Sequence, residues 1–224
     1  MCTIIALSKE RFLFMYNRDL PLEGFKGQDL RFFDNLLALY DYRSKGIAFG
    51  YSLNKVLFIA VANVLGYYSK LSRGYLARKV LQEAKNLEEA LAMMRGELIK
   101  GNYSSANYLL GDDKRIFRVE NYAEELVVKE VTPLDVVTNH FRFLNKGNKP
   151  KDSLEREKFV WRKLKEINPS LNSFKDIAMN HDEVPVCRHG RTLSSLLLEK
   201  FEGKLSFLYT LSLPCLGYKE LLFY

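Results

Sequence analysis

The order of elements along this chain predicts an α+β protein with mainly antiparallel sheets. Three observations carry that reading. Strand-like runs and helix-period runs fall in separate blocks and do not alternate one by one, which argues against a parallel doubly wound sheet. The strand-like runs are short and divided by turn residues. There is no Gly-rich phosphate loop of either usual spacing and no Gly-x-Ser-x-Gly elbow.

Residues 2–7 and 11–17 read as two strands joined by the polar turn Ser8-Lys9-Glu10. A loop rich in Gly, Pro and charge is expected from Leu20 to Asp29. Three further short strands follow at 35–42, 46–52 and 56–62, broken at Asp41 to Lys45 and at Leu53 to Lys55. The period then changes. Tyr75, Leu76, Val80 and Leu81 give a helical spacing over Ser72 to Glu83. Asn86 with Glu89 three residues on opens a second helix, which ends near Gly101. Strands return at 105–110, 115–120, 125–131 and 135–138, with Asp112-Asp113 and Thr132-Pro133 as turns. Residues 152–167 form an amphipathic helix, and Ser173 with Asp176 is expected to start another. After Arg188 the runs 192–198 and 205–213 read as strands, and the chain closes with Tyr218 to Tyr224.

The 224 residues fit a single domain over 2–224 once Met1 is removed, and they suffice for a sizeable core. Apolar content of 47% excludes a disordered chain. No apolar run approaches the ~20 residues of a membrane span. Lys9, Glu10 and Arg11 interrupt any signal-peptide core, so a cytoplasmic protein without membrane contact is expected. Three cysteines, Cys2, Cys187 and Cys215, are too few for a disulfide framework. His140, His181 and His189 lack helical metal spacing. Cys187 and His189 alternate, but without a second pair they are a weak zinc signal, and neither a metal nor a cofactor is expected. The net charge of +7 is spread out. Its densest cluster, Arg156 to Lys165, is interleaved with acids and reads as a solvated helix face.

The chemistry is expected at the start of the chain. Removal of Met1 leaves Cys2 with a thiol and an α-amine on one residue. The thiolate is the reactive form, and an α-amine titrates near ~8, close enough to neutrality to act as the adjacent base. The β-branched run Thr3 to Leu7 reads as a buried strand that holds this terminus rigidly. Asn17-Arg18-Asp19 ends the second strand. A hairpin back from Cys2 brings Arg18 near the thiol, where a cation favours the thiolate; the alternative is an exposed charge pair. Arg18 and Asp19 are adjacent, so both face the site only if the strand ends or bulges there. Asn63 in Ala62-Asn63-Val64-Leu65-Gly66-Tyr67 reads either as a turn residue or as an oxyanion donor. Asn139 in Thr138-Asn139-His140 reads either as a polar amide offered to a site at the exit of a core strand or as a turn or cap residue. Cys187-Arg188-His189-Gly190-Arg191-Thr192-Leu193-Ser194 is either a basic surface loop or a source of a second cation over the site.

Together these residues resemble the cysteine type of N-terminal nucleophile hydrolases. The closest branches are the choloylglycine hydrolase, penicillin V acylase and acyl-CoA:6-aminopenicillanate acyltransferase-like group. Asn107-Tyr108-Leu109-Leu110-Gly111-Asp112 with Val119-Glu120 is similar to a recurring segment of that group, as is Thr192-Leu193-Ser194-Ser195 followed by Leu213-Pro214-Cys215. The resemblance implies a four-layer αββα sandwich of two mainly antiparallel sheets. It implies Cys2 as nucleophile, its α-amine as base, Arg18 beside the thiol, and Asp19 contacting the terminus. It further implies Asn63 and Asn139 at the oxyanion hole and a later arginine that is either Arg188 or Arg191. The adjacency of Arg18 and Asp19 departs from the acylase branch and is similar to the Asn-Arg-Asp-Glu family, with Leu20 in place of its Glu.

The expected activity is hydrolysis of a linear, non-peptide or small-peptide C–N amide bond through an acyl-enzyme, with acyl transfer when an acceptor replaces water. The expected partner is a small-molecule amide, with no nucleic acid and no membrane; a homo-oligomer is left open. Phe25, Phe32, Phe33, Tyr67, Tyr68, Phe141 and Phe143 either line an acyl pocket or pack the core. Two alternatives stand beside this one. A class II glutaminase-like amidotransferase also starts with Cys, but Thr3 differs from its usual Gly. A catalytically silent module for an anionic partner lacks any recognisable nucleic-acid motif.

Overall fold

A computed structural model describes residues 2–20, 27–182 and 184–223. The two expected sheets are present and wholly antiparallel. One carries β1 (Cys2–Ser8), β2 (Phe12–Asp19), β10 (Leu134–Val137), β11 (Thr192–Phe201), β12 (Lys204–Thr210) and β13 (Lys219–Phe223), in the order β10-β1-β2-β11-β12-β13. The other is a seven-stranded meander in chain order: β3 (Gln28–Phe33), β4 (Leu36–Asp41), β5 (Gly46–Ser52), β6 (Leu57–Asn63), β7 (Ala106–Gly111), β8 (Ile116–Tyr122) and β9 (Glu125–Glu130). Helices α1 (Arg73–Glu83) and α2 (Leu87–Leu98) are inserted between β6 and β7. Helices α3 (Lys151–Glu166) and α4 (Leu171–Met179) lie between β10 and β11.

Three apolar clusters define four layers. Ile4, Ala6, Phe12, Phe14 and Tyr16 of the first sheet meet Leu37, Phe49, Phe58 and Leu109 of the second. Phe14 stacks on Phe49 with ring centroids 4.7 Å apart, and such ring pairs add to the area they bury. The outer face of the meander takes Leu76, Val80 and Leu81 of α1 and Leu87, Ala90 and Met94 of α2. The outer face of the six-stranded sheet takes Phe159, Val160 and Leu164 of α3 and Phe174 and Ile177 of α4 against Ile5, Leu13 and Met15. The molecule is therefore the αββα sandwich expected. Its central strands read as continuous apolar runs because both of their faces are covered. Among the described residues no helix is long and apolar enough to cross a membrane.

Some boundaries differ from the sequence reading. The loop expected from Leu20 to Asp29 lies in part outside the described residues, and its end belongs to β3. That strand is half-exposed at the meander's edge, so Gln28-Asp29-Leu30-Arg31 lacks the apolar pattern of a buried strand. Helix α4 starts earlier than Ser173. Ser170 is its cap: the Ser170 side chain accepts from the Ser173 amide and the Ser173 side chain accepts from the Ser170 amide. The Asn86 cap of α2 is as expected, accepting from the Glu89 amide at 2.9 Å.

The first turn of α1 sits directly on β5. A Cβ at Gly46 would lie 2.2 Å from the Gly74 carbonyl carbon, and one at Gly74 would lie 2.7 Å from the Ile47 oxygen. Only two backbones without side chains fit there. Gly46→Ala is expected to lose about 2 kcal/mol or more in denaturant unfolding, because the clash is with backbone. Gly96→Ala in α2, where an added Cβ meets nothing within 4 Å, is expected to gain about 0.5–1 kcal/mol.

Candidate active site

Antiparallel pairing sets Cys2 opposite Arg18 and Thr3 opposite Asn17. On its other side, β1 pairs with β10 only from Ile4 onward, where Ile4 opposes Val137. Beyond that point the Asn139 side chain continues the ladder. The Cys2 nitrogen donates to Asn139 Oδ1 at 2.5 Å. Cys2 is 3% exposed and lines a cleft of about 510 Å³. Its Sγ is 3.5 Å from the Tyr16 hydroxyl, which in turn donates to the Val61 carbonyl at 3.1 Å. A phenol has one proton, so with that proton on Val61 the thiol is the donor to Tyr16. Burial first, and then the Cys2 sulfur beside it, push the Tyr16 hydroxyl well above its usual value.

Arg18 and Asp19 do point to opposite faces, as their adjacency requires. Arg18 faces the cleft, paired with Asp41 and donating to Gln28 Oε1 at 2.5 Å. Asp19 faces the helical layer and is 1% exposed. It accepts from Thr192 Oγ1 at 2.7 Å and lies 3.8 Å from Arg156 and 4.0 Å from Arg188. Burial raises the Asp19 carboxyl, against the pull of Arg156, Thr192 and Arg188. The irregularity that frees this end of the sheet is on β11, between Thr192 and Ser194, and not on β2 itself.

Arg156 corrects the sequence reading. It is not on a solvated helix face but 2% exposed. It donates to the Cys2 carbonyl at 3.1 Å, to Thr3 Oγ1 at 2.8 Å and to Asn139 Oδ1 at 3.3 Å. The signal was helical phase: Arg156 stands four residues before Val160 and eight before Leu164, on the face α3 turns to the sheet.

The Asn139 loop is clamped by buried polar groups. Asn107 Nδ2 donates to the carbonyls of Thr138 and His140 at 3.1 and 2.7 Å. The Glu120 carboxylate accepts from the amides of Arg142, Phe143 and Leu144 at 2.7–2.9 Å. Ser153 Oγ accepts from the Asn139 amide at 2.8 Å. Asn139 Nδ2 donates to the Asn63 carbonyl at 2.7 Å. Asn63 itself lines the cleft, and its side-chain amide has no hydrogen-bond partner among the described residues.

The 187–194 segment does not lie over the cleft. Arg188 is on the helical side, 2.9 Å from Asp152 as well as near Asp19, whereas Arg191 is exposed. The cations that line the cleft are Arg18, Arg43, Lys70 and Arg73, against Asp41 as the one carboxylate among the described lining residues. The aromatic pocket is likewise corrected. Of the described aromatics named from sequence only Tyr68 lines the cleft. Phe141 packs on Val64 and Leu144, Phe32 lies against Phe223 and Phe33 against Tyr40, and Phe25 lies outside the described residues.

Elsewhere the fold supplies what Cys187 and His189 lacked in sequence. His181 and Cys215 join them, and one ligand atom from each of the four lies within 4.8 Å of every other. No residue of this group lines the Cys2 cleft.

Residues 41–208 match the family model of acyl-coenzyme A:6-aminopenicillanic acid acyl-transferases. That span includes Asn63, Asn139 and Arg188 and begins beyond Cys2, Arg18 and Asp19. No curated protein matches the chain.

A second buried ion network lies behind the Asn139 loop. Glu157 is 2.9 Å from His140 Nε2, 2.5 Å from Arg142 and 3.6 Å from Arg118. Burial works to raise its carboxyl, but the hydrogen bonds from His140 and Arg142 prevail and hold it at about 2, below its ordinary 4.5. A lowered carboxyl stabilises the fold in full above the ordinary value, and that contribution is lost as pH falls from about 4.5 to about 2. Denaturant unfolding of wild type is therefore expected to weaken by on the order of 3 kcal/mol from this group over that range. Glu157→Gln should be less stable at pH 7 and flatter across the same window.

Proposed function

The chain belongs to this acyl-transferase family, of the cysteine N-terminal nucleophile type, and we propose that it breaks a linear C–N amide bond of a small molecule through Cys2, once Met1 has been removed. The observation that carries the reading is the setting of Cys2: a thiol on the floor of a cleft, with its own nitrogen fixed on Asn139. In the proposed reaction the α-amine takes the thiol proton and the sulfur attacks the amide carbonyl. The amine leaving group receives that proton, a thioester forms on Sγ, and water then releases the acid and the free thiol.

The surrounding groups support distinct roles in this scheme. Arg156, on the Cys2 carbonyl and Asn139 Oδ1, fixes the terminal residue, and its charge favours the neutral, basic form of the amine. Arg156 and Asp19 are in this scheme positioning residues. The Asn63 amide, which lines the same cleft as Cys2, suits the oxyanion. Arg18 supplies positive charge on the thiol's side of the sheet.

Among the described lining residues, four cations against one carboxylate favour a substrate with an anionic group beside the scissile amide. The α1 N-terminus, with Ser72, Arg73 and Gly74 at the cleft wall, adds to the positive potential. The family's description favours a second outcome at the same thioester, in which an amine acceptor replaces water.

The test is turnover of N-acyl amino acids by protein whose intact mass shows loss of Met1. Cys2→Ala is expected to abolish turnover while retaining the wild-type unfolding transition. Lys70→Ala is expected to raise KM several-fold for a carboxylate-bearing amide, with little change in kcat and none for an uncharged analogue. Cys2→Ala turning over like wild type would sink the mechanism. Equal KM effects on both substrates would sink the anionic reading. An added amine acceptor that diverts product from acid to new amide would mark acyl transfer.

A further inference from the structure

We propose that His181, Cys187, His189 and Cys215 form a four-ligand site for a single zinc ion, remote from the Cys2 cleft. All four ligand atoms lie within 4.8 Å of one another, and two of the separations match the edges of a coordination tetrahedron. With Zn–S near ~2.3 Å and Zn–N near ~2.05 Å, tetrahedral angles separate two sulfurs by about 3.8 Å and a sulfur and a nitrogen by about 3.6 Å. Cys187 Sγ and Cys215 Sγ are 3.8 Å apart, and Cys215 Sγ is 3.5 Å from His189 Nε2. The His181 and His189 rings meet edge to face at 85°, with centroids 4.7 Å apart, so their nitrogens are brought together without ring stacking.

The donor set selects the metal. Two thiols and two imidazoles suit zinc and exclude calcium and magnesium, which take oxygen ligands. Four protein ligands leave no open position, which marks a structural site and not a hydrolytic one. The ligands come from two separate segments, the loop between α4 and β11 and the short turn Pro214–Leu216 after β12. Protein bonds already hold the loop in place. Asn17 Nδ2 donates to the carbonyls of Ala178 and Val186, and the amides of Val186 and Cys187 both donate to the Asn180 carbonyl. The sulfur separation is far beyond the ~2.05 Å of a disulfide. A metal here would tie the β12–β13 connection to the loop that carries Arg188, whose guanidinium reaches Asp152 and Asp19.

The test is metal analysis of the full chain, purified in reductant without chelator or metal-affinity steps, followed by chelation and titration with Co2+. The expected result is close to one zinc per chain. Titration should give one Co2+ per chain, with thiolate-to-cobalt charge transfer in the near-ultraviolet and the intense visible bands of a tetrahedral centre. Chelation should lower Tm by about 5 °C or more. His189→Ala and His181→Ala change exposed side chains, so they should fold normally while weakening Co2+ binding at least tenfold. Cys187→Ser should at least halve the charge-transfer band, Cys187→Ser with Cys215→Ser should abolish it, and Cys2→Ser should leave it unchanged, separating this site from the cleft. A reduced wild type with no such band would overturn the proposal. So would a band that survives in the double variant Cys187→Ser with Cys215→Ser, or native protein in which Cys187 and Cys215 are joined as a disulfide.

Discussion

A guanidinium removed from water is costly unless its donors are taken up. Arg156 directs its donors at the first two residues of β1 and at the one side chain that holds the Cys2 nitrogen. Its charge is answered by Asp19, itself buried at the end of β2. Chain termini ordinarily fray. Here the first strand is fixed through its backbone by β2 on one side, by Asn139 where β10 has ended, and from below by α3. Removing that one cation would weaken the charge compensation of the buried Asp19 and take a donor from the Cys2 carbonyl.

The same principle recurs one layer out. Asn17, Asn107 and Glu120 sit on sheet strands at essentially no exposure, where apolar residues would pack more cheaply. Each answers backbone groups of a loop that has no ladder of its own. Asn17 serves the end of α4 and the Val186 loop, Asn107 serves the Thr138–His140 turn, and Glu120 serves the three amides that follow. Loops thus acquire the rigidity of the sheets beneath them, which a geometrically exacting site requires.

Much of this was legible because it is local. The apolar run after Cys2, the polar turn and the Arg18 end of β2 define a hairpin in which register follows from strand length. Asn86 with Glu89 declares the start of α2 through a bond three residues long. What was not legible depends on distance or on context. Arg156 is one cation among several in a mixed-charge helix, and only its phase against Val160 and Leu164 separates it from the solvated ones. Cys187 and His189 look incomplete because their companions stand at 181 and 215, the latter beyond two strands. The aromatics named from sequence gave no hint that the cleft wall would be formed by Arg43, Lys70 and Arg73. β3 is not legible in the sequence because an edge strand need not be apolar.

The Tyr16 hydroxyl joins the two sheets: it stands on β2 and donates to Val61 on β6. It also lies against the sulfur. Its single hydrogen cannot serve both neighbours at once. A negative sulfur competes for that hydrogen with the opposite sheet, so ionisation of the thiol and the cohesion of the cleft's two walls are opposed. The state of the nucleophile is thereby coupled to how firmly β6, and the Asn63 at its end, is held against the strand that carries Arg18.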